Sequence, residues 1–258
     1  MERNKGGHFK RKKFDNIVFG RQPVVELLQS DKEVDTLYIQ QGATGVIIQE
    51  MIRLAQSRHI PVKQVPAEKL SRFTGGNHQG VIAFTTDIAF EHIEDVLPFI
   101  IEKGEVPLLL ILDGITDVGN FGAIARTAYG AGVHAIVIMA QHAAPVNGDA
   151  IKASAGALNN MTICREKNLD QVLQFLILNG MQIIGLDAQA TTPVFQVDLT
   201  LPTALVMGSE DTGISSSARK FISHTVHIPM QNAFDSYNVS VATGMVLYEV
   251  MRQRREIK

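Results

Sequence analysis

The chain has 258 residues, of which 45% are hydrophobic and 19% charged, and its formal net charge is −2. This composition is typical of a globular protein and excludes a disordered chain, and no apolar run is long and uncharged enough to span a membrane. The one cysteine, Cys164, excludes an intrachain disulfide and fits a reducing compartment. The histidines are scattered and form no metal-ligand pattern. We therefore expect a cytoplasmic protein with no metal site and no membrane segment.

The charge is unevenly distributed along the sequence. Residues 1–13 hold six Lys or Arg and one Glu, a charge of +5, so the rest of the chain carries −7. We expect a basic tail over residues 1–15. Its cations either contact nucleic-acid phosphates or are simply solvated.

Residues 16–87 alternate short strand-like and helix-like segments, which predicts a small α/β domain. The following residues, 88–105, are predicted to be a helical linker. The domain starts with IVFGRQPVVELLQ, a short apolar segment that Gly20 breaks, followed by a helix-like stretch. The next predicted elements are VDTLYIQ (strand), GVIIQEMIRLAQSRH (helix), PVKQVP (strand), AEKLSRF (helix) and GVIAFTT (strand).

Residues 106–258 predict a second α/β domain, with a parallel sheet, because LLLILDGI and TALVMG are continuous apolar strands of the kind buried on both faces. A helix is expected over 121–132 and another over DAIKASAGALNN. The other predicted elements are AIVIMA, MTICRE, MQIIGLDA and VHIPM as strands, and DQVLQFLILNG, SSARKFIS and VATGMVLYEVMRQRRE as helices.

Three loops after apolar strands carry unusual residues. The first, DVGNFG, has Asp117 where a dinucleotide-binding motif needs its first glycine, and the next strand ends without the expected acid, which disfavours a nicotinamide cofactor. The second, GSEDTG at 208–213, is by itself typical of a tight turn whose acids cap the next helix. In the third, 228–244, Ser236, Asn238 or Ser240 is a possible helix N-cap.

The three loops follow the carboxyl ends of strands of one sheet, the edge at which α/β proteins bind ligands. The sequence offers no nucleophile with an adjacent His base and no Walker lysine, which disfavours hydrolysis through a triad and ATP chemistry. The polar set at this edge instead favours a transfer reaction in which a bound cofactor supplies the reactive atom.

Three segments, in this order and spacing, resemble the motifs of the SpoU/TrmH family of RNA ribose 2′-O-methyltransferases. They are NFGAIARTA at 120–128, VMGSEDTG at 206–213, and IPM with SYNVSVA between 228 and 242. The N-terminal VFGRQPVVELL and GGNHQGVIAF are similar to the RNA-binding domain of the RlmB group, which methylates a guanosine ribose in bacterial 23S rRNA.

The resemblance implies S-adenosylmethionine as cofactor, a SPOUT-type trefoil-knotted methyltransferase domain over 106–258, and a substrate-RNA-binding domain over 16–87. It also implies a homodimer with the active site at its interface, and the apolar face of the last helix, with Met245, Tyr248 and Met251, is expected to meet the second copy. By motif position the catalytic residues are Asn120, Arg126, Glu210, Ser236 and Asn238. The cofactor-binding residues are Met207, Gly208, Ile228, Met230 and Tyr237.

The chain departs from the family pattern at three positions. Val118 stands where Pro is common, Asn232 replaces a common Gly, and Tyr237 replaces a common Leu. The first two bear on loop shape and the third on the adenine pocket. None of them removes a polar catalytic group, so the activity is still expected.

The reaction requires removal of the proton from a ribose hydroxyl. Arg126 either loses a proton transiently and acts as the base, or stays charged, clamps a substrate phosphate and stabilises the developing alkoxide. Asn120 and Glu210 are expected to orient Arg126 and the loops, and Ser236 and Asn238 to position the ribose or hold the knot. Two other functions stay open: methylation of tRNA, and a catalytically silent RNA-binding or ribosome-assembly factor. Basic residues expected to contact RNA are Lys10, Arg11, Lys12, Arg53 and Arg72.

Overall fold

The computed structural model describes residues 16–232 and 235–255, so the predicted basic tail lies outside the described residues. The chain divides into two compact units, with the boundary between Thr86 and Asp87. Within the described part, no helix is long and apolar enough to cross a membrane.

The smaller unit is a sheet with helices on both faces. Its elements are β1 (Ile17–Phe19), α1 (Arg21–Gln29), β2 (Val34–Gln40), α2 (Val46–Ser57), β3 (Val62–Val65), α3 (Ala67–Phe73) and β4 (Val81–Thr85). The strand order is β1-β4-β2-β3, with β2 and β3 parallel and β4 antiparallel to both its neighbours.

Alternation along the strands of this sheet separates two clusters of apolar side chains. Leu37 and Ile39 of β2 pack with the buried faces of α1 and α2. Tyr38, which points to the other side, packs with Phe84 and with α3. The smaller unit therefore has a large core under α1 and α2 and a smaller, aromatic cluster under α3.

The larger unit is built on a parallel sheet of order β10-β12-β9-β11-β6-β7-β8-β5. Its strands are β5 (Phe90–Glu91), β6 (Leu108–Asp113), β7 (Ala135–Met139), β8 (Thr162–Glu166), β9 (Gln182–Leu186), β10 (Thr192–Pro193), β11 (Thr203–Gly208) and β12 (His224–His227). Its helices are α4 (Ile93–Glu102), α5 (Val118–Gly130), α6 (Gly148–Ala153), α7 (Leu169–Leu178), α8 (Ser216–Arg219) and α9 (Val239–Arg255).

Both faces of this sheet are covered, as the continuous apolar strands predicted. Leu108, Leu110 and Leu112 of β6 face a core shared with α5 and α9. The alternate residues Leu109 and Ile111 face a second core, shared with α4 and α7. The predicted α/β class and parallel sheet are confirmed.

Two segments differ from the prediction. The linker expected over 88–105 is instead part of the larger unit, because Phe90 and Glu91 pair with β8 and the apolar face of α4 is buried in the second core. The single helix expected over DAIKASAGALNN is broken, since Ala155 and Gly156 have φ values of 51° and 85°, and a 3-10 helix, Ala157–Asn160, follows.

The small residues of α5 allow close helix packing. A Cβ atom at Gly122 would lie 2.4 Å from Cβ of Ala153 in α6, closer than side-chain contacts allow. On another side of α5, Thr127 lies beside Gly244 of α9. Gly122 is therefore required by the close approach of α6, and α9 packs on a second side of the helix.

Candidate active site

Two of the three motif loops leave neighbouring strands of the sheet. β6 and β11 pair in register along their whole length, so Asp113 and Gly208 leave the sheet side by side. Asp113 also accepts a hydrogen bond from the backbone N–H of Ser215 (2.7 Å), which ties the end of β6 to the start of α8.

The 208–213 loop is a tight, self-bonded turn. Ser209 and Gly213 exchange both of their backbone hydrogen bonds, at 3.2 and 2.9 Å, and the Ser209 hydroxyl accepts from the N–H of Thr212 (3.1 Å). A Cβ atom at Gly208 would lie 2.2 Å from the backbone of Gly213, so only glycine fits there. The turn is as predicted, but its acids do not cap α8, because Ser215 is the N-cap of that helix.

Glu210, at the tip of this turn, faces the start of α9 instead. Its Oε1 accepts from Nδ2 of Asn238 (2.6 Å) and, at 3.5 Å, from the backbone N–H of Val239. The same Nδ2 of Asn238 donates to Oδ1 of Asn120 at 3.0 Å. One amide group therefore joins the first, second and third motif loops.

The other end of the Asn238 amide caps α9. Oδ1 of Asn238 accepts from the N–H and hydroxyl of Ser240, at 3.0 and 2.6 Å, and from the N–H of Val241 at 3.4 Å. Of the three residues predicted as a possible N-cap in the third loop, Asn238 is the one that caps α9. The same residue also bonds the other two motif loops. At the first motif, Asp117 caps α5 by accepting from the N–H of Asn120 at 2.7 Å.

A cavity of about 170 Å³ lies beside this junction. All of the residues expected to bind the cofactor line it, and so do Glu210 and Ser236. Its wall is mostly apolar, with few polar groups, as is usual for a small-molecule site. The cofactor-related residues in its lining are Met207, Gly208, Ile228, Met230 and Tyr237.

Asp187 also lines the cavity, although no sequence motif points to this residue. Oδ1 of Asp187 accepts from the N–H of Gln189 (2.9 Å), and Oδ2 pairs with Arg219 of α8 at 2.7 Å. These two interactions, the Gln189 hydrogen bond first, lower the pKa of Asp187. Arg219 also donates from Nε to the carbonyl of Ile214 (3.1 Å). An ionised carboxylate thus fixes the wall of the cavity to the end of the 208–213 turn.

Arg126 lies apart from the junction. It is exposed, two turns along α5 from Asn120, and no hydrogen bond or ion pair to another described residue holds it. Asn120 and Glu210 bond Asn238 and so hold the loops, whereas their expected role in orienting Arg126 stays a prediction. Arg126 is six positions after Asn120, which places it about 9 Å along the axis and on a different side of α5.

The described residues contain no group of His, Cys, Asp and Glu side chains that could hold a metal ion. Cys164 is buried in β8, and burial raises the pKa of its thiol to about 12, so it is not poised for nucleophilic chemistry.

Comparisons with known proteins agree with this geometry. Residues 107–248 match the SpoU rRNA Methylase family, and residues 17–90 match a domain described as RNA 2′-O ribose methyltransferase substrate binding. The chain belongs to the SpoU rRNA methylase family.

Members of the SpoU family that resemble it include a putative TrmH family tRNA/rRNA methyltransferase, YacO, of Bacillus subtilis. This protein is 34% identical over 94% of this chain and 97% of its own length. The 23S rRNA (guanosine-2′-O-)-methyltransferase RlmB of Pseudomonas aeruginosa is 35% identical over 93% of this chain and 98% of its own.

Solved SpoU structures share the fold. The SpoU methyltransferase AviRb from Streptomyces viridochromogenes, in complex with AdoMet, matches with a TM-score of 0.60 and 24% identity over 93% of this chain and 90% of its own. The TrmH/SpoU tRNA modifying enzyme of A. aeolicus matches with a TM-score of 0.54 and 31% identity, over 59% of this chain and 78% of its own.

Membership of the SpoU family makes the chain an RNA 2′-O-methyltransferase with S-adenosylmethionine as its cofactor, and these two predictions are confirmed. The cavity fits such a cofactor chemically. It combines an apolar wall for a nucleoside base with backbone-rich turns and a carboxylate that can accept hydrogen bonds from hydroxyl groups.

Proposed function

We propose that this SpoU-family enzyme methylates the ribose 2′-hydroxyl of a guanosine in 23S rRNA. The observation that carries the proposal is the junction at Asn238, where polar groups of all three motifs meet beside the cavity. Relatives named as 23S rRNA (guanosine-2′-O-)-methyltransferases align over nearly the whole chain, including the substrate-binding part. The tRNA modifying enzyme of A. aeolicus aligns over 59% of it, which favours rRNA over tRNA as the substrate.

The proposal includes the organisation expected from the family. Residues 16–87 bind substrate RNA, and the methyltransferase part is a trefoil-knotted domain of the SPOUT type that acts as a homodimer. An exposed apolar stripe on α9 supports the dimer, because such a stripe is normally covered by another surface. Since the proposed substrate is ribosomal RNA, we place the enzyme in the cytoplasm.

In this proposal Met207, Gly208, Ile228, Met230 and Tyr237 hold the cofactor. The bound cofactor supplies an electrophilic methyl group on a sulfonium. Gly208 lets the 208–213 turn close against the backbone of the cavity wall. The apolar side chains exclude water from the reacting atoms.

Asn120, Glu210 and Asn238 form the frame of the reaction site, and Ser236, which lines the cavity, positions the ribose. Their hydrogen bonds fix the loop ends before substrate arrives, so little reorganisation is needed at the moment of transfer.

Arg126 is the residue that acts on the 2′-hydroxyl, the group that loses its proton and accepts the methyl group. Its exposure and its distance from the junction support a role in the site of the second copy, where the guanidinium meets the RNA phosphate and the 2′-oxygen. The proton leaves the hydroxyl either to Arg126, after the guanidinium has given up a proton of its own to solvent, or directly to solvent while the charged Arg126 stabilises the developing alkoxide.

Replacing Arg126 by alanine tests the assignment. The Arg126→Ala variant should fold and bind S-adenosylmethionine, because alanine suits an exposed helical position. Methyl transfer should fall by a factor on the order of a hundred to ten thousand, the range for a general base or an oxyanion stabiliser. Partial recovery in Arg126→Lys favours electrostatic clamping, since lysine keeps the charge and loses the planar grip on phosphate. A near-normal rate for Arg126→Ala contradicts the proposed site.

The substrate is tested by mapping 2′-O-methylation across rRNA and tRNA in cells with and without the gene. Loss of one guanosine methylation in 23S rRNA is the expected result. Loss of a tRNA methylation instead would identify a tRNA enzyme. An unchanged map together with no measurable binding of S-adenosylmethionine would identify a silent RNA-binding factor.

A further inference from the structure

Charge is segregated within the smaller unit. Residues 16–58 contain five acids and four Lys or Arg, whereas residues 59–86 contain three Lys or Arg and one acid, Glu68. The second segment forms β3, α3, the loop 74–80 and β4. The edge of the unit that carries α3 and this loop is therefore its cationic part.

The loop Thr74–Gly80 is held in one conformation by hydrogen bonds to both neighbouring helices. Nε2 of His78 lies 3.3 Å from the hydroxyl of Ser71 in α3. Gln79 accepts twice from Arg21, the first residue of α1: Oε1 from the backbone N–H (2.9 Å) and the carbonyl from the side-chain Nε (3.3 Å). The loop and both helix ends therefore form one continuous surface.

Glycines and a left-handed residue shape this loop. A Cβ atom at Gly76 would lie 2.5 Å from the ring of Phe19, so the backbone passes directly over that ring. Gln79 and Gly80 have φ values of 50° and 81°, and the N–H of Gly80 donates to Nδ1 of His78 (3.1 Å). The loop thus presents exposed backbone and the exposed side chain of Asn77 at a fixed position.

The cations at this edge form no ion pair within the described part of the chain, although Arg21 donates from Nε to Gln79 and Nζ of Lys69 lies 5.9 Å from the ring centroid of Tyr38. Lys69 and Arg72 are exposed, one turn apart on α3, and line a shallow groove with Pro66, Phe73 and one acid, Glu68. Neither the Lys69 nor the Arg72 side chain forms an ion pair or hydrogen bond with another described residue. The two terminal NH₂ groups of Arg21 also form no hydrogen bond with a described residue. Arg58, by contrast, donates to the carbonyls of Leu27, Leu28, Ser30 and Lys32.

We propose that a basic edge, defined as Arg21, Lys69, Arg72 and the loop Thr74–Gly80, is the surface of the substrate-binding domain that contacts the RNA backbone. The inference rests on the proposed function, since it assumes an RNA substrate. Arg21, Lys69 and Arg72, which form no ion pair with another described residue, neutralise phosphates. The N–H and amide groups of the loop add hydrogen bonds that fix the register of the strand. Arg53 of α2, which the sequence suggested as an RNA contact, lies outside this edge.

The experiment compares two double variants of the full chain that remove the same charge. Lys69→Ala with Arg72→Ala alters the basic edge, and Lys32→Ala with Arg53→Ala alters exposed cations elsewhere in the unit. The dissociation constant for a labelled 23S rRNA transcript is measured over a series of salt concentrations. S-adenosylhomocysteine binding by calorimetry checks that each variant is folded.

The basic-edge variant loses two cations and should bind RNA about 25-fold more weakly at 0.1 M salt. The reason is that each phosphate contact contributes about 0.7 to 0.9 to the slope of log K against log salt. Its plot of log K against log salt should be shallower by about 1.5. The control pair should stay within about twofold of wild type. In methyl transfer, KM for RNA should rise while kcat is retained.

Equal losses in the two double variants, or none in the basic-edge variant, overturn the inference. A change in kcat at saturating RNA also overturns it, because the edge would then act on the reaction and not on RNA capture. Wild-type protein that binds the transcript without methylating any RNA contradicts the proposed function, while the comparison of RNA affinities still decides the basic edge.

Discussion

At the scale of single residues, the amide of Asn238 performs two tasks with its two ends. The oxygen caps α9 and the nitrogen bonds Asn120 and Glu210. An aspartate at this position could cap the helix equally well, but it would lose the donor and place a second carboxylate against Glu210. The requirement for asparagine therefore comes from the junction of the motifs and not from the helix cap.

Residue-level prediction from the sequence succeeded where motifs are local. The family resemblance assigned Met207, Gly208, Ile228, Met230 and Tyr237 to the cofactor loops, and the structure brings all five to one cavity, while their role in binding stays a prediction. Asp187 was missed because an acid after a strand is typical of an ordinary turn. Its partner, Arg219, is distant in sequence, and only the folded chain brings the two together.

Asp187→Asn should weaken the binding of S-adenosylhomocysteine about tenfold, the effect of about 1.4 kcal/mol, the scale of one charge-assisted hydrogen bond. The variant removes the charge that pairs with Arg219 and fixes the cavity wall. Calorimetry on wild type and variant measures the effect, with Asp211→Asn, on the exposed side of the turn, as the matched control.

The pH dependence follows from the lowered pKa of Asp187. The stabilisation by the ionised carboxylate is complete above the ordinary value of 3.8 and is lost only as the pH falls through the lower folded value. Wild-type affinity should therefore not change through titration of Asp187 between about pH 5 and 8. Equal affinities of wild type and Asp187→Asn would show that the ion pair has no part in cofactor binding.

At the scale of elements, local pattern predicted the long helices and the buried strands. It failed for β5 and for the break after α6. β5 has two residues and is stabilised by pairing with β8, far along the chain, so no periodicity marks it. The break after α6 depends on Ala155 in a left-handed conformation, which a sequence rich in alanine does not suggest.

Gly122→Ala should destabilise the larger unit by about 1–3 kcal/mol, the usual cost of overpacking, because the new methyl group meets the backbone of α6. Gly130→Ala, at the end of the same helix, has open space around its Cβ position and should be neutral or stabilising by up to about 1 kcal/mol. Urea unfolding of both variants measures the difference. A Gly122→Ala variant as stable as wild type would mean that α5 and α6 can separate at little cost.

At the scale of the whole molecule, the sequence predicted two α/β units but not the order of their strands. Strand identity comes from local apolar runs, whereas strand order comes from long-range pairing. In the larger sheet β9 lies between β11 and β12, and β11 pairs with β6 across nearly a hundred residues. The rules of chain connectivity reduce the number of possible strand orders but do not select one of them. The proposed knot therefore rests on the resemblance to the SpoU family and not on the pattern of apolar residues.

The surface of α9 gives the proposed dimer its physical basis. Val241, Met245 and Tyr248 are 48%, 40% and 69% exposed and follow each other at helical spacing. The opposite side of the helix is buried, with Val246, Leu247 and Val250 in the core. A stripe of this kind on an otherwise packed helix indicates an interface.

Placing glutamate at both Met245 and Tyr248 should convert a dimer into a monomer, since two buried carboxylates on each protomer cannot be paired across a symmetric apolar contact. Light scattering at micromolar concentration measures the mass. Methyl transfer should fall together with dimer content if Arg126 acts in the site of the second copy. Leu178→Glu, at a residue that is 79% exposed on α7, is the control and should leave mass and activity unchanged. A wild-type monomer with full activity, or a double variant that stays dimeric, would contradict the assignment of α9 to the interface.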